Sequence, residues 1–118
     1  MPGYRDLKVW QAAMCLAEEV YRLSGRFPKH EIYGLASQLQ RSAVSLPSNI
    51  AEGHGRNSRK EFNHFLGIAL GSLAELETQL ILAQHLNYLT EEEISKALQN
   101  ADEIGKMLKG LQKSLNTN

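Results

Sequence analysis

The chain has 118 residues, enough for one domain with a single modest hydrophobic core. Its formal net charge is zero, because 13 Lys and Arg residues balance 13 Asp and Glu residues. The charge of the whole chain therefore favours no particular partner, and a single cysteine, Cys15, excludes an internal disulfide and a cysteine-rich metal site.

The same features favour a cytoplasmic location. A lone cysteine suits a reducing compartment, and the opening residues 1–6 are not typical of a signal peptide. We expect no apolar run as long as the roughly 18 residues that a membrane span needs. The sequence therefore predicts one cytoplasmic domain over residues 1–118 with no membrane partner.

Apolar residues recur at spacings of three and four along four segments, the pattern of amphipathic helices. The predicted helices cover about residues 5–24, 33–53, 59–87 and 91–115. Ser58 and Thr90 each precede a glutamate by three residues, so both are expected to form capping boxes. No alternation of period two occurs, and we expect no strand.

Four helices with short connections predict an all-α fold, an up-down-up-down antiparallel four-helix bundle. The first predicted helix has two adjacent apolar stripes, and the third is apolar on nearly every side. This is more apolar surface than one bundle needs to cover. We therefore expect self-association through the first and third helices.

Pro47 lies inside the second predicted helix. It has no N–H to bond the carbonyl of Ala43, and its ring crowds that carbonyl. We expect a kink here, with Ser45, Ser48 or Asn49 satisfying the freed carbonyl.

Three stretches carry a resemblance to a known family: YRDLKVW at 4–10, LASQLQRSAVSLPSNIAEG at 35–53 and FLGIALGSLAELE at 65–77. In these the chain resembles the bacterial four-helix bundles labelled 23S ribosomal RNA intervening-sequence proteins, and PSNIAEG and GSxxELE are the most specific parts. The resemblance implies a four-helix protomer and a ring-like homopentamer. The family is also similar to the accessory proteins of diversity-generating retroelements, which are basic pentameric barrels that bind nucleic acid. This chain departs from those proteins in its neutral net charge.

No catalytic group emerges from the sequence. Glu61 and His64 have the E-x-x-H spacing of di-iron bundles, but such sites need a second copy and two further glutamates. No Ser-His-Asp, Cys-His or P-loop signature is present. We expect no catalytic residue, no metal and no cofactor, and a protein that is not an enzyme.

Several polar residues of the second and third helices are expected to be structural. Glu75 and Glu77 are two positions apart, so they face different directions and are not a catalytic pair. We expect Glu75 to be largely buried and paired with Arg41, within or between protomers. Asn49 and Glu52 would either bind a small ligand or satisfy backbone groups near the proline, and we favour the second interpretation.

Basic residues gather at one predicted end of the bundle, where helices 1 and 3 start and helices 2 and 4 end. The eight residues are Arg5, Lys8, Arg56, Arg59, Lys60, Lys106, Lys109 and Lys113, opposed by Asp6, Glu52 and Glu61 for a formal excess of +5. One interpretation is contact with phosphates of RNA or DNA, and the other is solvated surface charge. The sequence thus predicts a non-enzymatic oligomeric accessory protein that contacts nucleic acid through this end. The alternative is a structural or protein-interaction oligomer that binds no nucleic acid.

Overall fold

The computed structural model describes residues 3–116, which are entirely helical or irregular with no strand. The four long helices are α1 (Lys8–Ser24), α2 (Leu35–His54), α3 (Arg59–His85) and α4 (Glu91–Leu115). Short 3₁₀ turns at Tyr4–Asp6 and Lys29–Glu31 precede α1 and α2. Four helices are therefore confirmed. Residues 1, 2, 117 and 118 of the predicted domain lie outside the described residues.

The first predicted helix begins later than expected. Leu7 has an extended backbone, with φ −72° and ψ 125°, so it separates the short 3₁₀ turn from α1. The structure also changes one of the two predicted capping boxes. Thr90 and Glu93 exchange both expected bonds, whereas Ser58 caps Glu61 without the reciprocal bond to its own backbone, so that capping box is only half formed.

Each helix packs against its two neighbours in the order α1, α2, α3, α4 and back to α1. Neighbours run in opposite directions. Across α2 and α3, for example, Ser42 Oγ donates to Gln79 Oε1 (2.9 Å), while Ser45 Oγ bonds Ser72 Oγ (2.8 Å). The later residue of α2 therefore meets the earlier residue of α3. The resulting molecule is elongated, 48 × 23 × 20 Å.

The core runs along the axis between the four helices and is almost purely aliphatic. Its fully buried large side chains are Leu16, Val20, Leu39, Leu46, Ile50, Leu66, Leu76, Leu80, Ile104 and Leu108. Burial of each of these side chains stabilises the fold by about 1.5–3 kcal/mol, because it removes apolar surface from water. Small residues such as Ala43 and Ala69, also fully buried, let the helices approach one another.

Helix α2 is continuous through Pro47, which is buried. Asn49 does serve the backbone beside the proline: its Nδ2 donates to the carbonyl of Ser45 (2.8 Å) and to Ser45 Oγ (3.0 Å). The carbonyl of Ala43 was the expected acceptor, and this prediction was wrong. Asn49 lies four residues after Ser45 on the same side of the helix, so its side-chain amide donates to the Ser45 carbonyl instead. The expected kink stays a prediction.

By length and composition alone, α3 is a helix that could cross a membrane. An 18-residue window has a mean hydropathy of 1.4, so the expectation that no segment meets this test was wrong. A buried helix of a soluble bundle passes the same test, and one such helix is weak evidence for a membrane. Here 33% of the window is buried inside the chain, where α3 packs against α2 and α4.

Candidate functional site

The predicted basic end is assembled by the fold. Arg59 Nη2 donates to the carbonyl of Ser114 (3.1 Å), which brings the start of α3 to the end of α4. Tyr4 and Ala51 line one groove, which brings the start of the chain to the end of α2. We define the basic end as the six residues that share these termini: Arg5, Lys8, Arg56, Arg59, Lys60 and Lys113, all of them exposed.

One cation of the basic end is neutralised locally. Arg56 Nη2 lies 2.8 Å from Glu52 Oε2, and Arg56 Nη1 lies 4.0 Å from Glu61 Oε1. Its guanidinium also stacks 5.0 Å from the centre of the Phe65 ring. Arg56 therefore holds the α2–α3 connection together. The carboxylate of Glu52 thus contacts Arg56, and not the backbone groups near the proline that the favoured interpretation had given it.

The lysines of the basic end point into water. Lys8, Lys60 and Lys113 are exposed and form no hydrogen bond or ion pair with another residue between 3 and 116. Lys60 lies in the first turn of α3, where a cation opposes the helix dipole, so its position does not help the helix. With Asp6, Glu52 and Glu61 as the nearby acids, six basic side chains leave a formal excess of +3.

The structure removes Lys106 and Lys109 from this end. Both line a side groove between α3 and α4, together with Glu77 and Asp102. Burial raises the pKa of Glu77, the Asp102 carboxylate raises it further, and Lys109 acts in the opposite sense. Lys109 therefore shares this groove with two carboxylates. Placing both lysines at the bundle end was wrong, because they lie nine and six residues before Leu115, the last residue of α4.

Glu75 and Arg41 do not pair within the chain. Both are exposed, and neither forms a hydrogen bond or ion pair with any residue of the described part. Ser72 and Gln79 occupy the side of α3 that meets α2, which leaves Glu75 turned outward. The expectation of a Glu75 buried within the protomer was therefore wrong. Pairing between protomers stays a prediction.

An open apolar groove between α1 and α2 was not predicted as a site. Its volume is about 550 Å³. Its walls are Tyr4, Trp10, Met14, Ala17, Glu18, Tyr21, Val44, Pro47, Ser48 and Ala51. Tyr21 and Val44 are 48% and 45% exposed. The signal for the groove was one of the two apolar stripes of the first predicted helix, the one that includes Trp10, Met14, Ala17 and Tyr21, which is only partly buried.

The described residues hold no cluster of three or more His, Cys, Asp or Glu side chains that could bind a metal. His64 is exposed on α3, and Glu61 is engaged with Ser58 and Arg56. Cys15 is exposed on α1. The arrangement presents charge and apolar surface.

The fold is an antiparallel bundle of four helices with a basic end and an open apolar groove. The sequence matches the family described as 23S rRNA-intervening sequence protein over residues 5–110, and the chain belongs to that family. A solved structure from Bacteroides thetaiotaomicron VPI-5482, described as a protein of unknown function from the S23 ribosomal protein family, is similar to it. The TM-score is 0.83 at 27% identity, covering 89% of this chain and 98% of that chain.

No match is found among curated proteins. Neither the family description nor that of the solved structure names an enzymatic activity.

Proposed function

We propose that this protein is a non-enzymatic, homo-oligomeric accessory protein that contacts the phosphate backbone of RNA or DNA through its basic end. The observation that carries the proposal is the group of exposed lysines at that end, Lys8, Lys60 and Lys113, which have no partner among residues 3–116. The protein acts in the cytoplasm and away from membranes.

The chemistry of such a contact follows from the side chains. Lysine and arginine release counterions from phosphates on binding, so affinity falls steeply with salt. They carry no information about base identity, so binding is weakly sequence-specific. The aromatic residues at this end, Tyr4, Trp10, Phe62 and Phe65, are all half-buried, so base stacking contributes little.

The test is fluorescence anisotropy with a labelled RNA hairpin and a DNA duplex at low and moderate salt. The variant combines Lys60→Glu with Lys113→Glu. Its control combines Lys29→Glu with Lys96→Glu, two exposed lysines outside the basic end, and makes the same change in charge. We expect binding by the wild type and the control, and loss of binding by the variant.

A second candidate is a structural or protein-interaction oligomer that binds no nucleic acid. The ion pairs of Arg56 and the large apolar groove favour it. If the wild type binds neither RNA nor DNA at low salt, this second candidate stands and the first falls. Equal loss of binding in the variant and the control would contradict a specific role for the basic end.

Self-association is common to both candidates. The apolar groove and the exposed Ile68, Ile81 and Leu82 of α3 support it. A ring-like homopentamer is the form that the family resemblance implies, and we propose it as the assembly.

A further inference from the structure

We infer that the groove between α1 and α2 receives the outward face of α3 from a second copy of this chain, with Arg41 of one copy opposite Glu75 of the next. The inference rests on the proposed self-association and assigns the two surfaces that meet. The groove carries large side chains, and the outward face of α3 carries small ones.

The groove supplies the large side chains. Trp10, Met14 and Tyr21 of α1 and Val44 of α2 all line it and are at least partly exposed. Their exposed surface lies in one open depression rather than being scattered, and such patches mark interaction sites. Within the part of the chain that the structure describes, Glu18 is the only charged side chain that lines the groove, and it is exposed.

The outward face of α3 supplies the small side chains. Gly67, Gly71 and Ala74 are exposed, spaced four and three residues apart, and Ile68 beside them is 39% exposed. A methyl group added at Gly71 would meet no atom within 4 Å, so packing within the protomer does not require glycine there. Glycine inside a helix is destabilising relative to alanine. A close approach by another molecule would explain why position 71 is glycine.

The two surfaces lie at the same height along the bundle. The groove spans residues 44–51 of α2. Ser45 bonds Ser72 of α3, and a Cβ at Gly53 would touch Phe65, so this part of α2 lies level with about residues 65–72 of α3. Copies placed side by side in the same direction therefore set Gly67 and Gly71 against the groove.

Charge complementarity points to the same arrangement. Arg41 lies on α2 just beyond the groove, and Glu75 lies on α3 just beyond Gly71, so they differ by about one turn in height. Each is exposed and has no partner among residues 3–116. Side-by-side copies bring opposite charges together at the edge of the contact.

This contact uses different surfaces on the two copies. Every copy then offers a free groove on one side and a free α3 face on the other. Repetition of such a contact closes into a ring or extends into a filament. The arrangement therefore explains how a ring can form without a two-fold interface.

The first test uses Gly71→Leu. The side chain has open space in the protomer, so we expect a folded helical protein that fails to associate. Gly110→Leu is the matched control, because Gly110 is an exposed glycine of α4 that also has no atom within 4 Å of a built Cβ. Mass by light scattering and helicity by circular dichroism are the two readouts.

The second test exchanges charges. Arg41→Glu would set two carboxylates opposite each other, and Glu75→Arg would set two guanidinium groups opposite each other. Like charges at a contact are costly, so each single variant should weaken association about tenfold or more. The double variant restores opposite charges and should recover most of the wild-type affinity.

The outcomes separate this inference from the proposed function. A wild type that is monomeric at high micromolar concentration overturns both. A wild type that associates, with Gly71→Leu and the charge variants equally associated, overturns only the assignment of surfaces and means that other faces form the contact. Loss of association in Gly110→Leu as well as Gly71→Leu also contradicts it.

Discussion

Glu31 is the residue whose role is most clearly set by distant partners. Its Oε1 accepts from the backbone N–H of Leu35 (2.9 Å), at the start of α2, and its Oε2 accepts from the Tyr88 hydroxyl (2.8 Å). A Cβ on Gly34 would lie 2.5 Å from Oε1, so the glycine leaves room for the carboxylate. One side chain thus caps α2 and ties it to the α3–α4 connection.

These bonds favour the charged form of Glu31. The hydrogen bond from the Leu35 N–H, and after it the bond from the Tyr88 hydroxyl, hold the pKa of Glu31 below its ordinary value. The hydrogen bond to Glu31 in turn raises the pKa of Tyr88. Because the pKa is lower in the folded state, the charged carboxylate stabilises the fold fully at pH values above the pKa of the unfolded state. That contribution is lost as the pH falls through the folded pKa.

Glu31→Gln should therefore lower the melting temperature at pH 7 and have little effect at a pH well below the folded pKa. Thermal unfolding followed by circular dichroism at the two pH values measures this. Glu103→Gln, at an exposed carboxylate of α4 that only approaches Lys106 at 4.0 Å, is the control and should have little effect at either pH. A deficit of the same size at both pH values would show that shape, and not charge, is what Glu31 contributes.

At the scale of the elements, Gly53 decides how closely α2 approaches α3. A Cβ at Gly53 would lie 2.5 Å from Phe65 Cβ and 3.1 Å from Phe62 Cδ1. The nearer atom is bonded directly to the backbone of α3 and cannot swing away. The close approach of α2 to α3 therefore explains, on steric grounds, why the PSNIAEG motif ends in glycine. Arg56 lies just after the same end of α2.

Gly53→Ala should destabilise the protein by about 1–3 kcal/mol, the cost of overpacking, although alanine is the better helix former. Gly110→Ala has no such contact and should be neutral or stabilise by up to about 1 kcal/mol. Urea unfolding of both variants gives the comparison. A stabilised Gly53→Ala would mean that α2 and α3 can separate without cost.

At the scale of the whole molecule, the bundle leaves apolar surface on two sides. Among residues 3–116, eight large hydrophobic residues are at least 39% exposed, including Tyr21 and Val44 at the α1–α2 groove and Ile68, Ile81 and Leu82 on α3. The protomer cannot cover both sides, because four helices around one core each turn a single face inward.

If copies cover this surface for each other, unfolding is coupled to dissociation. The melting temperature should then rise with protein concentration, since association stabilises the folded state by mass action. Differential scanning calorimetry over a hundredfold range of concentration measures the effect, and Gly71→Leu should abolish it. A melting temperature that is independent of concentration would count against self-association.

The sequence by itself determined the four helices and their order, because apolar spacing and helix ends are local properties. The ranges of α3 and α4 begin where Ser58 and Thr90 predicted, and α4 ends at Leu115 as expected. The family could also be predicted from the sequence, from the motifs PSNIAEG and GSxxELE, which lie in α2 and α3. The gathering of Arg5, Arg56 and Arg59 at one end followed from topology alone.

Only the tertiary structure decided which faces of the helices are covered and which charges meet. The rotation of α3 about its own axis leaves Glu75 in water, and it sets Glu77 in a groove with Asp102 and Lys109. The tie between Glu31 and Tyr88 joins residues 57 positions apart. Helical periodicity predicts roughly how wide the apolar stripe on each helix is. It does not predict which side chains each residue contacts, because those neighbours are far away in the sequence.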